Sequence, residues 1–209
     1  LLLPTLTCKH SNEEGVGIPS SLTTAIEQVS SPLFKMKAPD SGKRIPDSVL
    51  TSPEAMLDAS KDRILCLDLQ NQVKELDRDI DLAIINRLFR SILPNLVSIA
   101  CGVYGNFLVQ ILITKLAPAQ RRMFLVSYSK ELANLCLDTK GIFCVQTLVD
   151  QLSSDEEFRQ FLKLIEDHLA LLIKDNQAGF VLKKVIQTFS TGYIQQLLEL
   201  IRPRFLEFA

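Results

Sequence analysis

An all-α solenoid is the fold class that this sequence predicts, and three observations predict it. Four 17-residue stretches align one under another without a gap: LDASKDRILCLDLQNQV from Leu57, VSIACGVYGNFLVQILI from Val97, ANLCLDTKGIFCVQTLV from Ala133 and ALLIKDNQAGFVLKKVI from Ala170. Their starts lie 40, 36 and 37 residues apart, the length of one supersecondary unit in a stacked array. From Pro53 onward apolar residues recur at helical spacing, with almost no strand alternation.

The elements follow in chain order. Residues 1–53 are rich in Ser, Thr, Pro and Gly and carry one short candidate helix, Leu22 to Val29, so this stretch reads as a disordered or linker arm. KMKAPDSGKR within it holds four basic residues and reads as a solvated linker. At Thr51-Ser52-Pro53-Glu54 the composition changes: Ser52 suits an N-cap, Pro53 the first helical position, and Glu54 the positive end of a helix dipole. A repeat domain therefore spans 54–209, with repeat-like segments at 57–73, 97–113, 133–149 and 170–186.

Connecting helices lie between the segments. Ile80, Ala83, Ile84, Leu88 and Ile92 form one apolar stripe, and Phe158, Phe161, Leu162, Ile165 and Leu169 form another. APAQR and SSDEE read as the short polar turns of a helical-hairpin array, each unit pairing a connecting helix with an aligned segment. GYIQQLLELIRPRFLEF then supplies the first helix of a truncated fifth unit, 187–209. The reading is of a partial domain, consistent with a chain that opens on Leu1 rather than Met. Leu197, Leu200, Ile201 and Phe205 are expected to form a partly uncovered apolar edge.

Bulk composition narrows the function classes. A chain of 209 residues with 47% hydrophobic and 22% charged residues is an ordinary globular composition. The formal net charge is −1, with five basic and five acidic residues before Pro53 and 18 basic and 19 acidic after it, so any nucleic-acid surface has to be local. The five cysteines, Cys8, Cys66, Cys101, Cys136 and Cys144, form no CxxC pair and favour a reducing compartment; Cys101 and Cys136 read as core residues. His10 and His168 have no partners at zinc-site spacing, so no metal and no cofactor are expected. No apolar run reads as a signal peptide or a membrane span, and no membrane partner is expected. Without a Gly-rich phosphate loop, HExxH or GxSxG, the chain does not read as an enzyme, and no catalytic residue or small-molecule substrate is expected. Cys8 and His10 lie in the arm, where nothing would hold them in register.

The tenth, eleventh and fourteenth residues of each segment carry the chemistry. They are Cys66, Leu67 and Gln70; Asn106, Phe107 and Gln110; Ile142, Phe143 and Gln146; and Gly179, Phe180 and Lys183. The tenth and fourteenth are neighbours on a helix surface, so two polar groups there can grip the edge of one base. The eleventh leans between units and can stack on it. Stacking contributes roughly 1–3 kcal/mol whichever base is present, so the edge contacts have to supply selectivity.

These segments resemble Pumilio-family (PUF) RNA-binding repeats. VYGNFLVQ is similar to the family's aromatic-Gly-Asn-aromatic-x-x-Gln signature, and SKDRILCLDLQ resembles the family's first repeat. The resemblance covers about Glu54 to Ala209, about half of an eight-repeat domain, or about four and a half repeats. It implies one base read per repeat, with chain and RNA antiparallel. Asn106 with Gln110 then matches the uracil-reading pair and Cys66 with Gln70 the adenine-reading pair, together a 5′-UA-3′ step. The later units depart from the pattern: Ile142 can only pack beside Gln146, Gly179 has no side chain, and Lys183 donates without accepting. Leu67 replaces the usual stacking group in the first unit.

The resemblance implies a sequence-preferring single-stranded RNA-binding module. Its partners would be mRNA 3′ untranslated regions and regulatory proteins, in the cytoplasm or alternatively the nucleus or nucleolus. The alternative is a protein-interaction solenoid that has lost base recognition, which Ile142, Gly179 and the absence of net positive charge favour.

Overall fold

The computed structural model describes residues 45–208, with side chains through residue 203. Among these residues there are twelve α-helices, one 3-10 turn and no strand. The helices are α1 Asp47–Thr51, α2 Pro53–Lys61, α3 Arg63–Glu75, α4 Leu82–Ile92, α5 Leu96–Ala100, α6 Gly105–Lys115, α7 Pro118–Tyr128, α8 Leu132–Leu137, α9 Gly141–Gln151, α10 Asp155–Lys174, α11 Gly179–Thr188 and α12 Thr191–Phe208. They form an α-solenoid. Each unit has three parts rather than the two expected: a short helix, a middle helix and an outer helix. Units 1 to 3 are α2-α3-α4, α5-α6-α7 and α8-α9-α10. In unit 4 the short helix is the last turns of α10, α11 is the middle helix, and α12 closes the unit. The middle helices α3, α6, α9 and α11 pack side by side in that order.

Each aligned 17-residue segment is therefore broken near its centre, and the break has a chemical cause. Asp62 Oδ1 accepts from the backbone N–H groups of Ile64 and Leu65, at 2.8 Å each. Asp138 Oδ1 accepts from Lys140 and Gly141 at 2.8 and 2.7 Å, and Asp175 Oδ1 from Ala178 at 2.8 Å. These carboxylates satisfy the N–H groups that a starting helix leaves unpaired. All three stand at the sixth position of their segments. In unit 2 that position is Gly102, and the turn is held from the other side: Asn106 Nδ2 donates to the backbone oxygens of Gly102 and Val103, at 2.7 and 3.0 Å.

The helix start read at Ser52 holds. Its hydroxyl accepts from Ala55 N at 3.2 Å, and Pro53 is the first helical residue. Helical structure is nevertheless present before Pro53: α1 packs against α2 and α4, Ile45, Val49 and Leu50 are buried, and Asp47 meets Arg87 at 2.9 Å. Leu22 to Val29, KMKAPDSGKR, Cys8 and His10 lie outside the described residues.

Other expectations need correction. Ile80 is exposed, because the Asp77 carboxylate accepts from Asp79 N and Ile80 N in a turn that delays α4 to Leu82. Its buried stripe is Ile85, Leu88, Phe89 and Ile92, with Ala83 exposed and Ile84 half-buried. APAQR is mostly the first turn of α7, and SSDEE is the N-cap and first turn of α10. Leu197 and Ile201 are buried, since α12 lays this stripe against α10, whereas Leu198 is exposed and Leu200 half-buried. The side chain of Phe205 lies outside the described set. Leu82–Ala100 has a mean hydropathy of 1.3, enough by composition to cross a membrane. It comprises α4, the 3-10 turn Leu93–Asn95 and α5, and one face of it belongs to the core.

The outer helices close the second junction with a buried ion pair. Arg121 Nε donates to Glu157 Oε1 at 2.7 Å, and the two side chains are 3% and 0% exposed. The guanidinium also donates to Leu116 O at 2.6 Å and Ser153 Oγ at 2.9 Å. Glu157 Oε2 accepts from the backbone of Ser153 and Ser154 at 3.1 and 3.0 Å and from Ser154 Oγ at 2.9 Å. Burial alone raises a carboxyl pKa, but the hydrogen bonds and the Arg121 charge outweigh it here and hold Glu157 below its ordinary value.

Candidate nucleic-acid interface

Each middle helix exposes a large apolar side chain at the same register, whatever else it exposes. Leu67, Phe107, Phe143 and Phe180 are 52, 55, 51 and 54% exposed. Ordinary core positions do not behave so, and Leu108, Cys144 and Val181, one residue further along the last three units, are fully buried. The eleventh positions thus form a row of half-open apolar groups on four neighbouring helices. Among them Phe107, Phe143 and Phe180 offer aromatic faces.

The tenth and fourteenth positions do not project together as the sequence suggested. Cys66, Asn106 and Ile142 are buried, and Gly179 is half-buried. The tenth residue sits in the first turn of the middle helix, against the short helix and the neighbouring unit. Cys66 lies beneath Gln70, whose Nε2 stands 3.5 Å from its sulfur, and burial raises the pKa of its thiol. Cys66 thus sits below the surface. Gln70 is buried as well and donates to Tyr104 O of unit 2 at 3.0 Å.

Unit 2 is arranged differently. Gln110 is half-buried, and its Nε2 donates to Asn106 Oδ1 at 3.1 Å. Both N–H bonds of Asn106 go to its own turn, so it presents only its oxygen toward Gln110. The amide oxygen of Gln110 lies 3.4 Å from Thr147 Oγ1, but that hydroxyl's single hydrogen has a closer acceptor in Phe143 O, at 2.8 Å. Gln110 therefore keeps a free N–H and free acceptor capacity side by side, the pattern that meets an acceptor-donor base edge. Gln146 is half-buried and Lys183 exposed.

Gly105 lets α6 come this close to α5. A Cβ there would stand 2.5 Å from the backbone oxygen of Ile99. Sequence reasoning missed two features of this region. The Asp62, Asp138 and Asp175 turns were signalled by Asp at the sixth position of three segments. The Arg121–Glu157 pair was signalled by opposite charges 36 residues apart, one repeat period.

No protein-family model matches the chain. It is 26% identical over 206 residues, 96% of its length, to a Pumilio domain-containing protein of Schizosaccharomyces pombe, of which the match covers 29%. The chain is similar to Pumilio-type repeat proteins. Pumilio homolog 9 of Arabidopsis thaliana is 25% identical over 143 residues, 67% of this chain and 25% of that protein. The chain spans under a third of the length of these curated relatives. Among solved structures it is similar to the Puf4 RNA-binding domain bound to an HO endonuclease RNA 3′ UTR recognition sequence. There the TM-score is 0.63 at 21% identity, covering 73% of this chain and 46% of that one. PUF-8 in complex with PBE-RNA gives the same TM-score at 18% identity, covering 75% and 46%. At these identities the structural likeness concerns the Pumilio fold.

Among the described residues no three His, Cys, Asp or Glu side chains converge as a metal site. His168 is hydrogen-bonded to Ser129 O at 3.0 Å.

Proposed function

We propose that the chain binds single-stranded RNA across its middle helices and that unit 2 dominates base selection. The observation that supports this most is the constant half-exposure of Leu67, Phe107, Phe143 and Phe180 beside the open amide of Gln110. Stacked bases lie on the aromatic rings, and Gln110 supplies an N–H and an acceptor to one edge, with the Asn106 oxygen behind it. A pyrimidine edge carrying an acceptor next to a donor, as in uracil, satisfies this pair. Reading by unit 1 requires Gln70 to leave Tyr104 O, so the 5′-UA-3′ preference reduces mainly to its uridine. Gln146 beside Phe143 supports a weaker contact in unit 3. Lys183 beside Phe180 supports a charge contact without base discrimination in unit 4.

The relatives named for Pumilio domains and the RNA-bound neighbours support a role on mRNA 3′ untranslated regions, with regulatory proteins as further partners. The cytoplasm is the compartment proposed for it.

Fluorescence anisotropy with two short RNAs that differ only in carrying UA or CC tests this reading. The UA strand binds more tightly, and Phe107→Ala weakens both by the stacking contribution of roughly 1–3 kcal/mol. Gln110→Ala removes the difference between them. Equal affinity of the unsubstituted chain for the two strands defeats base selection.

A protein-interaction solenoid is the second reading, and Gln70 favours it: a side chain expected on a base is instead part of the scaffold. Its mark is a protein partner retained after RNase treatment, with no salt-dependent RNA affinity.

A further inference from the structure

The base-reading scheme leaves a groove beside Gln110 unused. It encloses about 360 Å³ and is walled by Lys74, Gln110, Ile111, Thr114, Lys115 and Thr147. Two ammonium groups and no carboxylate are among these residues. Lys115 Nζ donates to Lys74 O at 2.9 Å and Leu76 O at 2.7 Å, which fixes it at the C-terminal end of α3 and leaves a third N–H for another acceptor. Lys74 makes no ion pair among the described residues.

The hydroxyls are not competing donors. Thr114 Oγ1 donates to Ile111 O at 2.7 Å, and the hydrogen of Thr147 is taken by Phe143 O. One unit further on the charge pattern is different: Asp150 stands at the register of Lys74 and Thr114 and is neutralised by Lys184 at 2.7 Å. The cationic groove is thus a local property of the junction that holds Gln110, in a chain whose net charge is −1.

We propose that this groove seats one phosphodiester of a bound strand, that of the nucleotide whose base faces Gln110. The proposal rests on the RNA-binding reading above. A phosphodiester carries one negative charge on two non-bridging oxygens, and the Lys74 ammonium and the spare N–H of Lys115 are the donors that face it. Lysine ammonium is a compact charge that tolerates variation in acceptor geometry, which suits a flexible backbone. Phosphate contacts set register rather than sequence. Lys74 and Lys115 are positioning residues that fix where along the row of rings the strand presents its uridine.

The test uses the full chain and its Lys74→Gln and Lys74→Arg variants, because Lys115 also caps α3 and its removal could disturb the fold. The probe is a short UA-containing RNA, measured over a range of salt concentrations. A matching set of the same strand carries one neutral methylphosphonate linkage, moved position by position. Lys74→Gln is expected to make the slope of log affinity against log salt shallower by about 0.7, the value for one phosphate contact on a single strand. Affinity near physiological salt falls roughly threefold, as befits an exposed charge pair, and Lys74→Arg restores it. The unsubstituted chain loses a similar factor when the neutral linkage occupies one particular position, and Lys74→Gln is insensitive to that linkage. RNA binding with an unchanged slope and no sensitive linkage overturns the phosphate seat and leaves the RNA reading standing. Failure of the unsubstituted chain to bind any of these strands at any salt overturns both.

Discussion

Gln70 and Gln110 occupy the same register one unit apart, on helices of the same length class and the same facing row, yet they do different work. Gln70 is buried and holds unit 1 to the backbone of unit 2 through Tyr104 O. Gln110 is half-buried and keeps polar capacity open to solvent. The difference lies in what closes each junction. Between units 1 and 2 the closure includes the middle helices themselves, through Gln70 and through Lys115 at the end of α3. Between units 2 and 3 an ion pair on the outer helices adds a buried tie of its own, and Gln110 is left without a bond to unit 3 backbone. A repeated position is open to a ligand only where the scaffold does not already use it.

The strongest way to break this comparison is to remove the outer tie. Glu157→Gln leaves Arg121 buried without its counter-charge and is expected to cost about 3–5 kcal/mol in chemical unfolding. The same variant has a pH signature. Because the carboxyl of Glu157 is held below its ordinary value of 4.5 in the folded chain, its contribution is fully present above that value and is lost as pH falls through the lower, folded value. Unfolding free energy measured from neutral pH down to acid should therefore decline less steeply in Glu157→Gln. Parallel curves would show that the pair does not supply this tie.

Gly105 and Gly179 sharpen the contrast at the next level of effect. Gly105→Ala drives a Cβ to 2.5 Å from backbone and is expected to destabilise by about 1–3 kcal/mol. Gly179→Ala, at the first residue of α11, meets only Leu172 O at an ordinary 3.5 Å and is expected to stabilise by about 0.4–1 kcal/mol, by restricting the unfolded chain. Thermal melting of the two variants checks the opposite signs.

The two glutamines then separate scaffold from ligand surface. Gln70→Ala loses a buried hydrogen bond and is expected to cost about 1 kcal/mol of stability. Gln110→Ala should leave the melting midpoint nearly unchanged while abolishing the UA preference. Equal stability losses in the two would erase the distinction. The smallest effect concerns Tyr128, whose hydroxyl is buried without a hydrogen-bond partner among the described residues and whose pKa burial pushes well above the ordinary value. Tyr128→Phe removes that uncompensated group and is expected to be neutral or stabilising by up to about 1 kcal/mol in the same melting assay.

Much of this architecture was legible in the sequence. The repeat period and helical spacing of apolar residues gave the solenoid, and the alignment of four segments gave the row at the eleventh positions. Local rules also worked where the partners are close in sequence, as at Ser52 and Pro53. They failed where the outcome depends on how closely one unit approaches the next. Residues four apart share a helix face, but whether Cys66 or Ile142 stays on the surface depends on the neighbouring helix. Gln120 and Arg121 looked like turn residues because polar side chains usually face water. Their partners, Asn86 and Glu157, lie 34 and 36 residues away and become visible only when successive periods are compared.

The thiol of Cys144 lies at the same seam, 3.4 Å from the backbone oxygen of Asn106, with burial raising its pKa far above the usual range. An alkylating reagent reaches such a sulfur only while units 2 and 3 are parted. The chain therefore carries its own gauge of breathing: the speed of Cys144 labelling counts how often the seam opens, and a strand lying across it would slow the count.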